Sequence, residues 1–184
     1  MSELTGKKLA IFVEDLYNEH EFWYPKYRLL EAGATVVVAG TEAGKTYKSK
    51  IGFPAVSDVA FSEISPKEFD GVVIPGGYAP DYMRRSQAAR DFVREMNAEG
   101  KLVAFICHAG WMVIPAGIAK DREVTSVAAI QDDLVNAGAM WKDAPVVRDG
   151  TVVSSRAPAD RPDVIKAIIG FYRRSRPAAS FTNE

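Results

Sequence analysis

The feature that most constrains the fold is a set of short apolar runs, rich in β-branched residues and almost free of polar side chains. Runs of this kind form the strands of a parallel sheet that is buried on both faces. The segments between them have helical periodicity, and alternation of strands with helices is typical of an α/β domain. The runs are 9–13, 35–39, 71–74 and 102–106.

The remaining segments complete a fold prediction. Asp149 and Gly150 lie between two apolar stretches and predict a β-hairpin over 146–153. We therefore predict a three-layer, flavodoxin-like α/β sandwich, with a mostly parallel sheet and helices on both faces. It forms one domain over 7–174, and 175–184 is predicted to be a frayed tail. The predicted helices are 19–32, 80–98, 109–119, 130–137 and 162–172.

Charge and hydropathy exclude several classes of protein. The 184-residue chain has a formal net charge of -1, which argues against a general binder of nucleic acids or anionic membranes. No segment approaches the ~20 apolar residues that a membrane helix needs. Residues 1–8 are polar and lead directly into a predicted strand, so no signal peptide is expected and the predicted location is cytoplasmic.

The sequence offers little for a metal or an organic cofactor. It contains one Cys and two His, too few for a structural zinc cage or an internal disulfide. No G-x-G-x-x-G follows a predicted strand, and 40–46 is one residue too short for a G-x-x-x-x-G-K-[ST] phosphate loop. We therefore expect neither a metal nor a cofactor.

The candidate for chemistry is Cys107, at the junction between run 102–106 and a predicted helix. A nucleophile on such a sharp turn, a nucleophile elbow, points its side chain out of the carboxyl edge of the sheet. The positive end of the helix is expected to lower the pKa of the thiol, and the His108 N–H to stabilise an oxyanion. Small residues at Ala109 and Gly110 are expected to let a substrate approach. The alternative is an inert buried cysteine.

A nucleophilic cysteine needs a proton acceptor, and the chain offers only His20 and His108. His108 is favoured because it adjoins the thiol, whereas His20 lies in a polar segment and is predicted to be exposed. The triad of class I glutamine amidotransferases needs a downstream His and Glu, and no histidine follows His108. A glutaminase of that design is excluded.

Three further positions lie in segments that end at the same edge of the predicted sheet. Gly77 follows Gly76 at a strand end. Two consecutive glycines are compatible with a tight turn whose backbone N–H groups face the site, and equally with an ordinary turn that ends the strand. Asp81 is predicted near a helix N-terminus, where an acid complements the helix dipole. Spacing alone indicates that Glu21 is a solvated helix residue, because glutamate is rarely buried.

Together these motifs resemble the ThiJ/PfpI superfamily, which has a fold similar to class I glutamine amidotransferases, and most closely its PfpI-type intracellular cysteine peptidases. The resemblance extends from Lys8 to about Phe171, nearly the whole predicted domain. It is carried by a Glu-rich stretch ending at Tyr24-Pro25, Leu-Glu-Ala-Gly33, Phe69-Asp-Gly, Pro75-Gly-Gly77, Ala104-Phe-Ile-Cys-His108, Asp132-Asp133, Asn136-Ala-Gly138 and Val153-Ser-Ser-Arg-Ala-Pro-Ala-Asp160.

The resemblance implies a role for each candidate residue. Cys107 matches the nucleophile and His108 the neighbouring histidine. Glu21, four residues before a proline, matches a carboxyl that hydrogen-bonds the thiol, in contrast to its interpretation from spacing. Gly77 and the His108 amide match the oxyanion hole. Asp81 stands where PfpI-type oligomers have an acid that contacts the histidine of a neighbouring subunit.

Two departures from the family pattern bear on the substrate. The family usually has Cys-His-Gly-Pro, whereas this chain has Ala109 and Gly110 after His108. The methyl group of Ala109, which glycine lacks, is expected to narrow the approach of a substrate to Cys107. Without the proline, the first turn of the following helix is expected to be less rigid. Asn18 replaces a carboxyl that the family usually has seven residues before the proline.

The resemblance implies a cofactor-free cysteine hydrolase that acts on peptide, amide or related C–N bonds of a small-molecule or peptide substrate. In this hypothesis Cys107 attacks a carbonyl, His108 transfers protons, and the enzyme is a homo-oligomer, a dimer or a hexamer. One alternative is a deglycase or glyoxalase-like enzyme that acts on glyoxals or their adducts. Another is a non-enzymatic stress-response or redox-sensing protein in which Cys107 is oxidised to sulfinic acid.

Overall fold

The fold is built on a parallel sheet, as the apolar runs predict. The computed structural model describes residues 2–174, and all four predicted runs form strands whose side chains are largely inaccessible to solvent. The strands are β1 Lys8–Phe12, β2 Thr35–Gly40, β3 Thr46–Lys48, β4 Pro54–Val56, β5 Val59–Ala60, β6 Gly71–Ile74, β7 Leu102–Ile106, β8 Glu123–Val124, β9 Met140–Trp141, β10 Val146–Asp149 and β11 Val152–Ser155.

The main sheet of the described chain has seven strands in the order β10-β11-β7-β6-β1-β2-β5. All neighbours are parallel except β10 and β11, which form the antiparallel hairpin predicted at Asp149-Gly150. The five long strands therefore follow the 2-1-3-4-5 order of flavodoxin-like folds, in which ligands bind beyond the carboxyl ends of the strands at the switch point. That point lies between β1 and β6.

Helices cover both faces of this sheet. In the described chain α1 packs against α6, while α3 and α4 pack against each other. The helices are α1 Glu19–Glu31, α2 Ala79–Met83, α3 Gln87–Ala98, α4 Gly110–Val113, α5 Gln131–Asn136 and α6 Arg161–Arg174. Short 3-10 turns occur at Phe61–Glu63, Pro66–Glu68, Cys107–Ala109, Ala128–Ile130 and Pro158–Asp160.

Two predicted helices differ from the structure. The prediction of one helix over 80–98 is wrong, because the first helix ends at Met83. Ser86 then caps the start of a second helix by accepting a hydrogen bond from the Ala89 N–H at 3.3 Å. The prediction for 109–119 is too long. Helix α4 ends at Val113, since Pro115 has no backbone N–H to donate to the carbonyl of Trp111.

The predicted tail, 175–184, lies outside the described residues. Within residues 2–174 no helix is long and apolar enough to cross a membrane. The single domain over 7–174 remains a prediction.

Candidate active site

Cys107 occupies a strained turn at the carboxyl end of β7. Its φ angle is +60°, in the left-handed region that non-glycine residues rarely adopt. A conformation of this kind costs about 1–3 kcal/mol and is concentrated at functional sites. The residue is 8% exposed, so it is neither sealed from solvent nor freely accessible. The predicted nucleophile elbow is therefore present.

Glu21 lies beside this turn because the start of α1 is fixed by a side-chain cap. Asn18 accepts hydrogen bonds from the backbone N–H groups of His20 at 3.0 Å and Glu21 at 3.3 Å. The Glu21 side chain is fully buried, so its interpretation as a solvated residue was wrong. Its Oε2 accepts a hydrogen bond from the Gly76 N–H at 2.8 Å.

Gly76 lies against both the carboxyl group and the nucleophile. A Cβ atom on Gly76 would lie 2.7 Å from Glu21 Oε2 and 3.0 Å from the Cys107 Cβ. Only a glycine therefore fits between the two side chains. The other carboxyl oxygen, Oε1, is buried and has no hydrogen-bond partner within residues 2–174. This unpaired oxygen is available to the thiol.

Burial dominates the protonation of this pair. It raises the pKa of Glu21 from 4.5 to about 7 and, with the negative charge of Glu21, raises the pKa of Cys107 to about 12. Two negative charges are therefore strongly disfavoured together. When Glu21 is protonated the repulsion disappears, and its O–H can donate a hydrogen bond to the thiolate. The pair behaves as one unit that holds at most one negative charge near neutral pH.

The expectation that a helix dipole lowers the thiol pKa is wrong. Helix α4 contains only the four residues from Gly110 to Val113, and burial outweighs the groups that favour the thiolate. Those groups are the His108 backbone N–H and the charge of Lys50. Local charges and hydrogen bonds, not a long helix, therefore favour ionisation.

His108 contacts the nucleophile directly. Its Nδ1 lies 3.3 Å from Cys107 Sγ, which is its only side-chain hydrogen-bonding contact within residues 2–174. Its ring packs against Trp111, with centroids 5.2 Å apart, and the Trp111 Nε1–H donates to Asp133 at 2.8 Å. Burial and the charge of Lys50 lower the pKa of His108, so the neutral imidazole can accept a proton near pH 7.

Gly77 is held in a left-handed conformation by the loop that follows β1. Its φ is +76°, and the flanking bonds run from the Asn18 N–H to Gly76 O at 3.1 Å and from the Tyr78 N–H to Leu16 O at 2.9 Å. The Gly77 N–H itself makes no hydrogen bond within the described residues. It therefore remains available as a donor, as does the His108 N–H beside the sulfur.

Asp81 has partners on its own chain. It is 9% exposed and accepts hydrogen bonds from Arg84 Nε at 3.0 Å and from Arg85 at 2.6 Å. Although burial alone would raise it, these arginines hold the pKa of Asp81 below its usual range. Contact with His108 of a neighbouring subunit stays a prediction. Within one chain the two are linked through Arg84, which lies 5.1 Å from the Trp111 ring centroid.

Ala109 and Gly110 do not open a path for substrate. Both are buried, and a Cβ on Gly110 would lie 2.9 Å from the Ile130 Cδ1. Their small size instead allows α5 to pack against the elbow. A proline at position 110, usual in the family, would displace Ile130.

Sequence reasoning missed Trp111 and two cations, Lys50 and Arg161, whose charges act on the site. No motif marks the cations, since they become neighbours of the site only through the fold. Within residues 2–174 no three His, Cys, Asp or Glu side chains form a metal-ligand cluster.

Comparisons with known proteins identify the family of this chain. Residues 7–170 match the model of the DJ-1/PfpI family. Deglycase PfpI of Pyrococcus furiosus is 42% identical over 153 residues, which cover 83% of this chain and 92% of that protein. The putative cysteine protease YraA of Bacillus subtilis is 36% identical, covering 84% of this chain and 92% of its own length.

Solved structures give the same result. A protein of Anabaena variabilis with DJ-1/ThiJ/PfpI-like and ferritin-like domains has a TM-score of 0.88 and 38% identity, over 97% of this chain. This chain spans only 52% of that two-domain protein. DJ-1beta of Drosophila melanogaster has a TM-score of 0.83 and 28% identity, covering 89% of this chain and 88% of that one. The chain described here belongs to the DJ-1/PfpI family.

Proposed function

We propose that this protein is a cysteine-dependent deglycase that hydrolyses the adducts of small glyoxals with amines or thiols. The observation that carries the proposal is a strained thiol, 8% exposed, beside a neutral histidine and a buried carboxyl that can hold a proton near pH 7. A narrow opening of this kind favours a compact electrophile over an extended polypeptide.

The expectation of an enzyme is confirmed by relatives named as deglycases and as a putative cysteine protease. Peptide or amide hydrolysis was the first expectation from the sequence. The names of the relatives support deglycation at least as well, since those at 42% identity and above are called deglycases. We therefore place deglycation first.

The reaction begins with a proton transfer. Glu21 or His108 takes the thiol proton, and the His108 N–H and Lys50 favour the resulting thiolate. The amine leaves the adduct as a neutral group, which regenerates an aldehyde. The Cys107 sulfur then forms a bond with the aldehyde carbon, and the aldehyde oxygen receives a proton.

The next steps convert this hemithioacetal into a carboxylate. Glu21 removes the proton from the sulfur-bearing carbon and returns it to the neighbouring carbonyl carbon, while the hydroxyl proton of the sulfur-bearing carbon moves to the former carbonyl oxygen. The product is a thioester of a 2-hydroxy acid. Water then cleaves the S–C bond and restores the thiol. The sum for a methylglyoxal adduct is adduct plus water gives amine plus lactate, and no external oxidant or reductant is required.

The proposal is tested by following lactate release from the methylglyoxal adduct of N-acetyl-lysine. The Cys107→Ala variant should lose the activity, and His108→Ala should reduce it strongly because the proton acceptor at 3.3 Å is removed. His20→Ala is the matched control, since the His20 side chain is exposed. Lactate release that persists undiminished in Cys107→Ala would contradict the proposal.

Hydrolysis of small peptides is the second candidate. The Gly77 N–H, which has no acceptor within the described residues, and the His108 N–H favour it, because the oxyanion of acyl transfer needs backbone donors. Release of a fluorogenic amine from short peptides, compared between wild type and Cys107→Ala, separates this activity from deglycation. Unchanged release in the variant would exclude it.

Asp81 belongs to this proposal only in an oligomer. In that arrangement it orients His108 of a neighbouring subunit, in competition with Arg84 and Arg85 of its own helix. Light scattering at micromolar concentration tests the point, and a monomer that is fully active would remove Asp81 from the mechanism.

A redox-sensing role is separable from both activities. It requires that mild peroxide convert Cys107 to sulfinic acid, which mass spectrometry detects as the addition of two oxygen atoms. A thiol that stays unmodified under conditions that preserve deglycation would argue against sensing.

A further inference from the structure

Two cations beside the nucleophile have no side-chain partner. Among the described residues, neither Lys50 nor Arg161 forms an ion pair, a side-chain hydrogen bond or a cation–π contact. An unpaired surface cation is ordinary by itself, because exposed ion pairs contribute little. These two differ from other surface cations because their charges act on the buried Glu21 carboxyl.

Backbone hydrogen bonds fix the position of Lys50. Its N–H donates to Tyr17 O at 3.0 Å, and Tyr17 also bridges to Ser49 and to Gly77. Gly77 directly follows Gly76, where an added Cβ atom would lie 3.0 Å from the Cys107 Cβ. The segment that carries Lys50 is therefore attached to the loop that borders the nucleophile. The Lys50 side chain is exposed, so it can turn toward a bound molecule.

Arg161 enters the same region from another element. It is the first residue of α6, which packs against α1, the helix that carries Glu21. Its side chain is half-buried, and its charge acts on the Glu21 carboxyl. Lys50 acts on Glu21, Cys107 and His108 together.

The charge balance of the site is therefore uneven. The acidic group that acts on the sulfur is Glu21, and its burial keeps it partly protonated near pH 7. The charge of Lys50 acts on all three groups and that of Arg161 on Glu21, whereas the Cys107–Glu21 pair holds at most one negative charge. The chain as a whole has a formal net charge of only -1, so this local excess is not a general property of the surface.

We propose that Lys50, assisted by Arg161, forms a subsite for an anionic group of the substrate, a carboxylate or a phosphate, next to the electrophilic carbon that Cys107 attacks. The substrates of this protein are then glyoxal adducts, or aldehydes, that carry such a group. The substrate class rests on the function proposed above, whereas the binding of an anion beside Cys107 does not depend on turnover.

The first experiment uses the single cysteine of the chain. Iodoacetate and iodoacetamide both alkylate a thiolate with loss of iodide, but only iodoacetate is an anion. The ratio of their rates cancels any change in the thiol pKa, since both reagents consume the same thiolate. Lys50→Gln should lower the iodoacetate-to-iodoacetamide ratio about ten-fold at low ionic strength, and Lys50→Arg should preserve it.

The matched control is Lys48→Gln, which removes the same charge two residues away from another exposed side chain. Its rate ratio should stay within about two-fold of wild type, because Lys48 is not among the charges that act on Glu21, Cys107 or His108. Arg161→Gln should lower the ratio less than Lys50→Gln does. A ratio that is equal in wild type, Lys50→Gln and Arg161→Gln would overturn the proposal.

A second experiment identifies the anion. Inorganic phosphate and acetate are compared as inhibitors of Cys107 alkylation by iodoacetamide, at constant ionic strength. Stronger protection by phosphate assigns a phosphate, and stronger protection by acetate assigns a carboxylate. Protection that survives Lys50→Gln unchanged would contradict the subsite.

Turnover then separates this inference from the proposed function. The methylglyoxal adducts of glycine and glycinamide differ in one carboxylate close to the reacting carbon, so Lys50→Gln should raise KM for the first alone and leave kcat similar. If neither adduct is hydrolysed but the alkylation ratio changes as expected, the deglycase proposal fails and the subsite stands. If both are hydrolysed and Lys50→Gln affects them equally, the subsite fails and the deglycase proposal stands.

Discussion

Replacing Glu21 with glutamine should remove a pH dependence from the stability of the protein. Burial raises the pKa of this carboxyl from 4.5 to about 7. Between these values the folded chain holds a proton that the unfolded chain has lost, so the free energy of unfolding falls as pH rises. The fall amounts to about 3 kcal/mol across this window and is complete once Glu21 is ionised in the folded state.

The measurement is urea unfolding, followed by tryptophan fluorescence at several pH values between about 5 and 8. The free energy of unfolding of wild type should decrease relative to that of Glu21→Gln by about 3 kcal/mol across this interval, because titrations common to both proteins cancel. Glutamine keeps an oxygen for the Gly76 N–H. Its new amide group replaces the unpaired Oε1, which costs about 1–3 kcal/mol at every pH.

Cys107→Ala is the control. It should retain the wild-type slope, since the pKa of the thiol, about 12, lies outside the interval and Glu21 stays buried. Parallel curves for wild type and Glu21→Gln would refute the argument, because they would mean that ionising Glu21 costs the folded state nothing. A slope of opposite sign would refute it equally, since it would indicate a carboxylate stabilised by its surroundings.

Three further substitutions test the packing of the site and its surroundings. Gly76→Ala should abolish adduct hydrolysis and lower stability by about 1–3 kcal/mol, because its Cβ would lie 2.7 Å from Glu21 Oε2. Trp111→Ala should lower kcat about five-fold, with Trp111→Phe close to wild type, since an aromatic contact to His108 is worth about 1 kcal/mol. Tyr172→Phe should lower stability by about 1 kcal/mol in urea unfolding without affecting kcat, because its O–H donates to Asp70 O at 3.0 Å.

The strands were predictable because a buried parallel strand leaves a local signal. The run at 102–106 is apolar at every position and is buried at every position as β7.

Helix boundaries were less predictable. Ser86 divides the predicted helix 80–98 because its hydroxyl competes for the backbone N–H of Ala89, and periodicity does not report such local competition.

The site was only partly predictable. Cys107 and His108 are adjacent in sequence, so their contact at 3.3 Å follows from local geometry. The burial of Glu21 does not follow from spacing, which indicated a solvated residue, and was anticipated only through the family resemblance. The oxyanion donors and the contact of Asp81 with a neighbouring subunit stay predictions.

The sequence by itself determined the layered α/β architecture, the turn at Gly76 and Gly77, and the position of the Cys107 thiol at the end of a strand. Each of these features depends on a pattern of only a few consecutive residues. Only the tertiary structure decided that Glu21 is buried, that Gly76 lies against both Glu21 and Cys107, and that the charges of Lys50 and Arg161 act on Glu21. Protonation and charge at a site depend on burial and on distances between segments far apart in sequence, and those are set only when the sheet and helices pack together.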